Sequence, residues 1–146
     1  MKLGLKMSDA KRLFFDRPAV QALLTKEERS RLSRFGAFVR QRAKSSIKMS
    51  SGNQSSAPGA PPKGHTDDLR RRIYFAFDPS RRSVVMGPVT FDSRTGEELA
   101  ALETGGMTTI REAGRRRRRV FIRARPFMLP AFHQELPKAS FQWAKA

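Results

Sequence analysis

From Leu32 onward, apolar residues recur at Phe35, Val39, Ala43 and Ile47, three or four positions apart. That spacing sets them in one stripe along about four turns of a helix. Arg29, Arg31, Arg34, Arg40, Arg42, Lys44 and Lys48 occupy most of the remaining surface, a basic face that is by default a solvated one. Thr25 with Glu28 three residues later forms a capping box, so the helix is expected to begin at Thr25. An earlier helix is expected from a Ser8 cap through Ala10, Leu13 and Phe14, with Asp9 at the positive end of its dipole. Pro18 lacks an amide donor, and so interrupts this helix or starts a further turn.

The pattern changes at Met49. Ser50-Ser51-Gly52-Asn53-Gln54-Ser55-Ser56 is polar and flexible, and Ala57-Pro58-Gly59-Ala60-Pro61-Pro62 favours an extended chain. No apolar side chain in residues 49–64 is large enough to anchor the stretch in a core, so the segment is expected to be a mobile arm: a linker, or a strap around Pro58, Gly59, Pro61 and Pro62 that orders against a neighbouring subunit.

Beyond it the period becomes two. Ile73, Phe75 and Phe77 alternate with Tyr74 and Ala76, the pattern of a half-buried strand. Asp78-Pro79-Ser80-Arg81-Arg82 is turn chemistry, and Ser83 to Val89 reads as the second strand of a hairpin. Thr66, Asp67 and Asp68 cap a single helical turn before it. Asp92-Ser93-Arg94-Thr95-Gly96 reads as another turn. Glu97 to Glu103 reads as a short helix, with Leu99 and Leu102 inward and Gly105-Gly106 ending it. Met107 to Ile110 and Val120 to Ala124 are the strands of a second hairpin whose tip runs from Arg111 to Arg119, interrupted by Gly114. Pro126 blocks that strand, Pro130 to Leu136 is expected as a closing helix, and Trp143 lies in the tail. The expected fold is α+β: N-terminal helices packed on one face of a small antiparallel sheet of about four strands. It forms one domain, with a helical part over 1–48, the arm over 49–65 and the sheet, short helices and tail over 66–146.

Composition narrows the chemistry. Lysine and arginine number 30 against 13 acidic residues in 146, a formal net charge of +17. A charge of that size calls for a polyanionic or acidic partner. With 38% hydrophobic residues and a long polar segment the core is small, which favours oligomerisation. The absence of cysteine excludes disulfides, thiolate metal sites and cysteine nucleophiles. No apolar run approaches the ~18 residues of a membrane span, and Met1-Lys2-Leu3-Gly4-Leu5 is too short for the core of a secretory signal, so a cytoplasmic origin is expected. His65 and His133 have no second histidine at metal-ligand spacing. Phosphate-loop and nucleophile-elbow patterns are missing too. Neither catalysis nor a metal or cofactor is expected.

The basic run is the strongest chemical signal. Arg111, Arg115, Arg116, Arg117, Arg118 and Arg119 bring guanidinium forks suited to phosphate oxygens into one short stretch. Without a zinc-finger, RNA-recognition or helix-turn-helix signature, nucleic-acid contact would be with the backbone and independent of sequence. Pairing with the carboxylates of a neighbouring protein is the alternative.

Arg125-Pro126-Phe127-Met128-Leu129-Pro130-Ala131-Phe132 resembles the strand-to-helix closing motif of the neck and tail-completion proteins of long-tailed bacteriophages, the minor tail protein Z-like family. The pieces before it come in a similar order. A basic helix (Phe35-Gly36-Ala37-Phe38-Val39 through Ala43 to Ile47) precedes Pro58-Gly59-Ala60-Pro61-Pro62 and His65-Thr66. An aromatic strand, Val84-Val85-Met86-Gly87-Pro88 and Leu102-Glu103-Thr104-Gly105-Gly106 follow. The likeness covers residues 30–140. It implies a structural virion protein without enzymatic activity or cofactor. Such a protein is assembled in the host cytoplasm into a ring, commonly sixfold, at the joint of tail and DNA-filled head. Its partners are head-closure, tail-terminator and tail-tube proteins, with genomic DNA on the axis. Two rival readings are a tail terminator capping the tube and, in a different class, a free-standing sequence-independent nucleic-acid-binding protein. The five-arginine run departs from the family pattern and leaves open whether it faces DNA or a neighbouring ring.

Overall fold

A computed structural model describes residues 17–52, 54–64, 66–89, 93–111 and 117–144, and one long helix organises them. Helix α1 spans Arg17–Ser46. Pro18 falls in its first turn, where a missing amide hydrogen costs nothing. The expected helix start at Thr25 is corrected: Ala19-Val20-Gln21-Ala22-Leu23-Leu24 contains no breaker, so the helix begun at Arg17 runs straight through Thr25. Glu28 instead pairs with Arg82 of a distant turn. The helix expected between Ser8 and Phe14 lies outside the described residues.

The apolar stripe is buried as its spacing predicts. Phe35, Val39, Ala43 and Ile47 form a core with Ile73, Phe127, Ala131 and Ala139. Strands β1 (Lys48–Met49) and β2 (Lys63–Gly64) follow, then the one-turn helix α2 (Asp68–Arg71). Asp67, rather than Thr66, takes the N-cap position of α2 and pairs with Arg70 and Arg71 at 3.3 and 3.2 Å.

Strands β3 (Ile73–Asp78) and β4 (Ser83–Pro88) form the first expected hairpin, antiparallel, with Ile73 opposite Pro88 and Asp78 opposite Ser83. Asp78 Oδ1 fixes the turn by accepting bonds from Ser80 N at 2.9 Å, Ser80 Oγ at 2.6 Å and Arg81 N at 3.3 Å. The hairpin lies on α1, with Ile73 turned inward and fully buried and Tyr74 and Ala76 turned out. Gly36 permits the close approach: a Cβ there would stand 2.7 Å from Val84 Cγ2 and 2.9 Å from Phe75 Cδ2.

Helix α3 spans Ser93–Thr104, so residues 93–96, expected as a turn, belong to it. It stops where expected: Gly105 takes a φ of 77° and donates its amide to Ala101 O at 2.7 Å. Strands β5 (Gly106–Arg111) and β6 (Arg117–Ile122) make the second hairpin. Helix α4 spans Met128–Ala144 and packs on α1, where Phe132 meets Phe35 edge-on at 5.7 Å. The expected end at Leu136 is corrected. Pro137 removes one helical hydrogen bond, yet α4 continues because Ala131, Glu135 and Ala139, on either side of it, are all buried.

The chain is α+β, but among the described residues its six strands form three separate two-stranded ladders and not one sheet. The expected free arm is corrected as well. β1 and β2 pair in parallel, and Ser50 donates its amide to Gly64 O at 3.0 Å, so the segment leaves and returns at one point. Gly59 donates its amide to Ala124 O at 2.8 Å, and Arg125 Nε donates to Ser56 O at 3.1 Å. Apolar anchors are indeed scarce in this loop; backbone groups do the anchoring, and these leave no trace in a hydropathy pattern.

Glu135 is a buried carboxylate between Arg42 and Lys138, the latter at 3.0 Å. Burial pushes its pKa up, but the bonds from Lys138 and Arg42 outweigh this and hold it below the ordinary range. A depressed folded-state pKa contributes stability above the unfolded value of about 4.3 and loses it as pH falls through the folded value. Glu135→Gln is expected to cost about 1–3 kcal/mol at neutral pH. The low end is favoured because 40% of Arg42 and 50% of Lys138 remain in water. Urea melts of both proteins should converge only as pH falls below the depressed folded-state pKa of Glu135.

Candidate functional site: a basic hairpin and its anchorage

The hairpin rises from Gly105-Gly106 at the end of α3, and the pairing of β5 with β6 sorts its residues onto two faces. Gly106–Ile122, Thr108–Val120 and Ile110–Arg118 share one face; Met107–Phe121, Thr109–Arg119 and Arg117 share the other. Thr108 on the first face is buried, and Ile110, Val120 and Ile122 are half-buried. On the second face Met107 is 56% and Phe121 67% exposed, and Arg117 and Arg119 stand in solvent beside them.

The arginine run is therefore only partly a tip. Arg111, Arg117, Arg118 and Arg119 lie in paired strands, which corrects the expected loop from Arg111 to Arg119. Ladder hydrogen bonds are made by the backbone, so a strand can carry arginine on its exposed face without losing its pairing. Arg115 and Arg116, and the side chain of Arg111, lie outside the described residues. Arg117, Arg118 and Arg119 are exposed and, among the described residues, pair with no carboxylate.

Several other cations are committed inside the chain. Arg40 Nε donates to Ile73 O at 2.6 Å with its guanidinium 5.7 Å from the Tyr74 ring centroid. Arg42 holds Glu135, and Arg70 Nε donates to Lys44 O at 3.2 Å. Burial, together with the Arg40 and Arg70 charges, holds the Lys44 ammonium below its ordinary pKa. The basic face of α1 is thus partly a packing surface, although Arg29 and Arg34 on it are exposed as the hairpin arginines are.

Arg125, Pro126 and Phe127 form the anchorage of this hairpin. Arg125 donates its amide to Leu102 O at 2.7 Å, and Phe127 is 1% exposed. Glu103 is the residue that sequence reasoning missed. Its Oε2 accepts from the amides of Phe127 (3.0 Å) and Met128 (3.2 Å), and its Oε1 from that of Leu129 (2.7 Å). It caps α4 from another element, satisfying amides that a helix start leaves open and placing a carboxylate at the positive end of the dipole. One signal was available: Glu103 sits near the C-terminus of its own helix, where a negative charge is disfavoured.

In the loop, Gly59 and Pro62 serve the chain itself, Gly59 through Ala124 and with a φ of 80°, Pro62 by burial; Pro58 is exposed. His133 is exposed beside Phe132, and His65 lies outside the described residues. Among the described residues no three His, Asp or Glu side chains converge on a metal site, and no helix is long and apolar enough to cross a membrane. An open cleft of about 350 Å³ lies between β4, α3 and the start of α4, lined by Met86, Leu99, Phe127 and Met128. Its ionisable residue, Glu103, already caps α4. Compared with protein-family models, curated proteins and solved structures, the chain matches none of them.

Proposed function

We propose that the chain is a structural subunit of the head–tail connector of a long-tailed bacteriophage, completing the tail and joining it to the DNA-filled head as part of a ring around the DNA channel. The observation that supports this reading is the mutual contact of two of the pieces on which the resemblance rests. Leu102-Glu103-Thr104-Gly105-Gly106 and Arg125-Pro126-Phe127-Met128 are far apart in sequence, yet Glu103 caps the helix that Phe127 leads into. The joint sets a basic hairpin at a fixed place on the body. A small core and a charge of +17 suit a subunit that gains stability by assembling around or beside a polyanion.

Particles made without the protein provide the test. Normal-length tails that fail to join filled heads are expected. Overlong tails would make it a terminator, and wild-type particles would overturn a virion role. Changing Arg115–Arg119 to serine should impair ring formation or infectivity; a variant normal in both would remove the run from either role. If about five of these arginines neutralise phosphates, duplex affinity should fall with salt at a log–log slope near −4 to −5.

A further inference from the structure

We propose that the outer face of the β5–β6 hairpin is a docking surface for an acidic protein segment that also presents an apolar side chain. Met107 and Phe121 lie opposite each other nearest the body, followed on the same face by Thr109 with Arg119 and then by Arg117. Same-face positions along a strand are about 7 Å apart, so an apolar seat and its cationic rim belong to one continuous surface. Duplex phosphates have no use for the seat, because backbone contact needs charge alone. Single strands use aromatic platforms on which successive bases stack, and this face offers one ring. Phenylalanine, methionine and arginine together are the composition of a protein-interface centre.

Charge selects the partner. A second copy of this chain is a poor occupant. It carries 13 acidic residues against 30 basic ones, and several of the acids are already engaged: Glu28 with Arg82, Asp67 with Arg70 and Arg71, Glu103 at the start of α4, and Glu135 with Arg42 and Lys138. The complement is a different protein, acidic around an exposed leucine or phenylalanine. The inference shares the hairpin with the proposed function but needs neither ring nor virion, so each can fail alone.

Fluorescence anisotropy with the full chain tests it, using four labelled probes: a short peptide alternating glutamate with leucine, a polyglutamate of equal charge, a DNA duplex and oligo-dT. The alternating peptide is expected to bind about tenfold or more tighter than polyglutamate. Phe121→Ser should abolish that difference, and Met107→Ser should reduce it, both leaving polyglutamate and duplex binding unchanged. Because both side chains are largely exposed, thermal melts should stay the same. Arg117→Ser with Arg119→Ser should weaken both peptides and flatten their salt dependence. Equal or undetectable binding of the two peptides, or indifference of their ratio to Phe121→Ser, overturns the proposal. Loss of oligo-dT binding in Phe121→Ser beyond any loss of peptide binding would make the face a single-strand platform instead.

Discussion

Phe127→Ala is expected to lower the unfolding free energy by about 3–5 kcal/mol, a large part of the 5–15 kcal/mol typical of a domain. Phe127 is among the largest fully buried side chains and joins α4 to the core beneath α1. Its backbone amide is also one of the three that Glu103 holds, so a cavity there loosens the cap of α4 along with the packing. The core around it is small: of the described residues, nine apolar ones are buried, and four of these are alanines. Little remains to refill the space. Urea denaturation followed by circular dichroism measures the loss. Phe127→Leu, which keeps most of the volume, should cost clearly less. A loss under about 1 kcal/mol for the alanine variant would mean that the ring does not fill this core.

The second large effect has an unusual sign. In an exposed helix Gly→Ala stabilises by about 1 kcal/mol, since glycine is the weaker helix former. At Gly36 we expect the reverse, a loss of about 1–3 kcal/mol, with Gly36→Leu worse. A Cβ at 2.7 Å from Val84 Cγ2 and 2.9 Å from Phe75 Cδ2 forces the β3–β4 hairpin off α1. Valine and phenylalanine in a packed layer have little room to yield. Gly52 is the control: a Cβ there meets nothing within 4 Å, so Gly52→Ala should be close to neutral. Thermal melts of the two alanine variants decide the matter, and stabilisation at Gly36 would show that helix and hairpin are not in contact there.

Much of the local structure was legible because it follows from periodicity and turn chemistry. The spacing of Phe35, Val39, Ala43 and Ile47 predicts the buried stripe of α1, and all four are buried. The alternation around Ile73, Phe75 and Phe77 predicts a strand in a hairpin, and Gly105 ends α3 as expected. Element limits were less legible. Thr25 and Glu28 have the identities of a capping box, but an N-cap matters only where the chain before it is not helical, and Ala19 to Leu24 is helix. The closing helix expected from Pro130 to Leu136 runs on past Pro137, carried by the packing of α4 against α1. Residues 49–64 look unanchored to any reading based on side chains, because their anchors are Gly59 N and Ser56 O.

By itself, then, the sequence determined the charge, the absence of thiol chemistry, the buried stripe and the two hairpins. These depend on composition and on neighbours within a few turns or strand positions. Tertiary structure decided how the arginines are presented. Pairing of β5 with β6 put Arg117 and Arg119 on one face with Phe121 and turned Arg118 to the other, a division that exists only once a register is chosen. It also decided that Glu103 of one helix caps another and that the Ser/Gly/Pro segment closes on its own chain. Those are contacts between residues distant in sequence, made largely by backbone donors and acceptors that every residue type except proline carries alike.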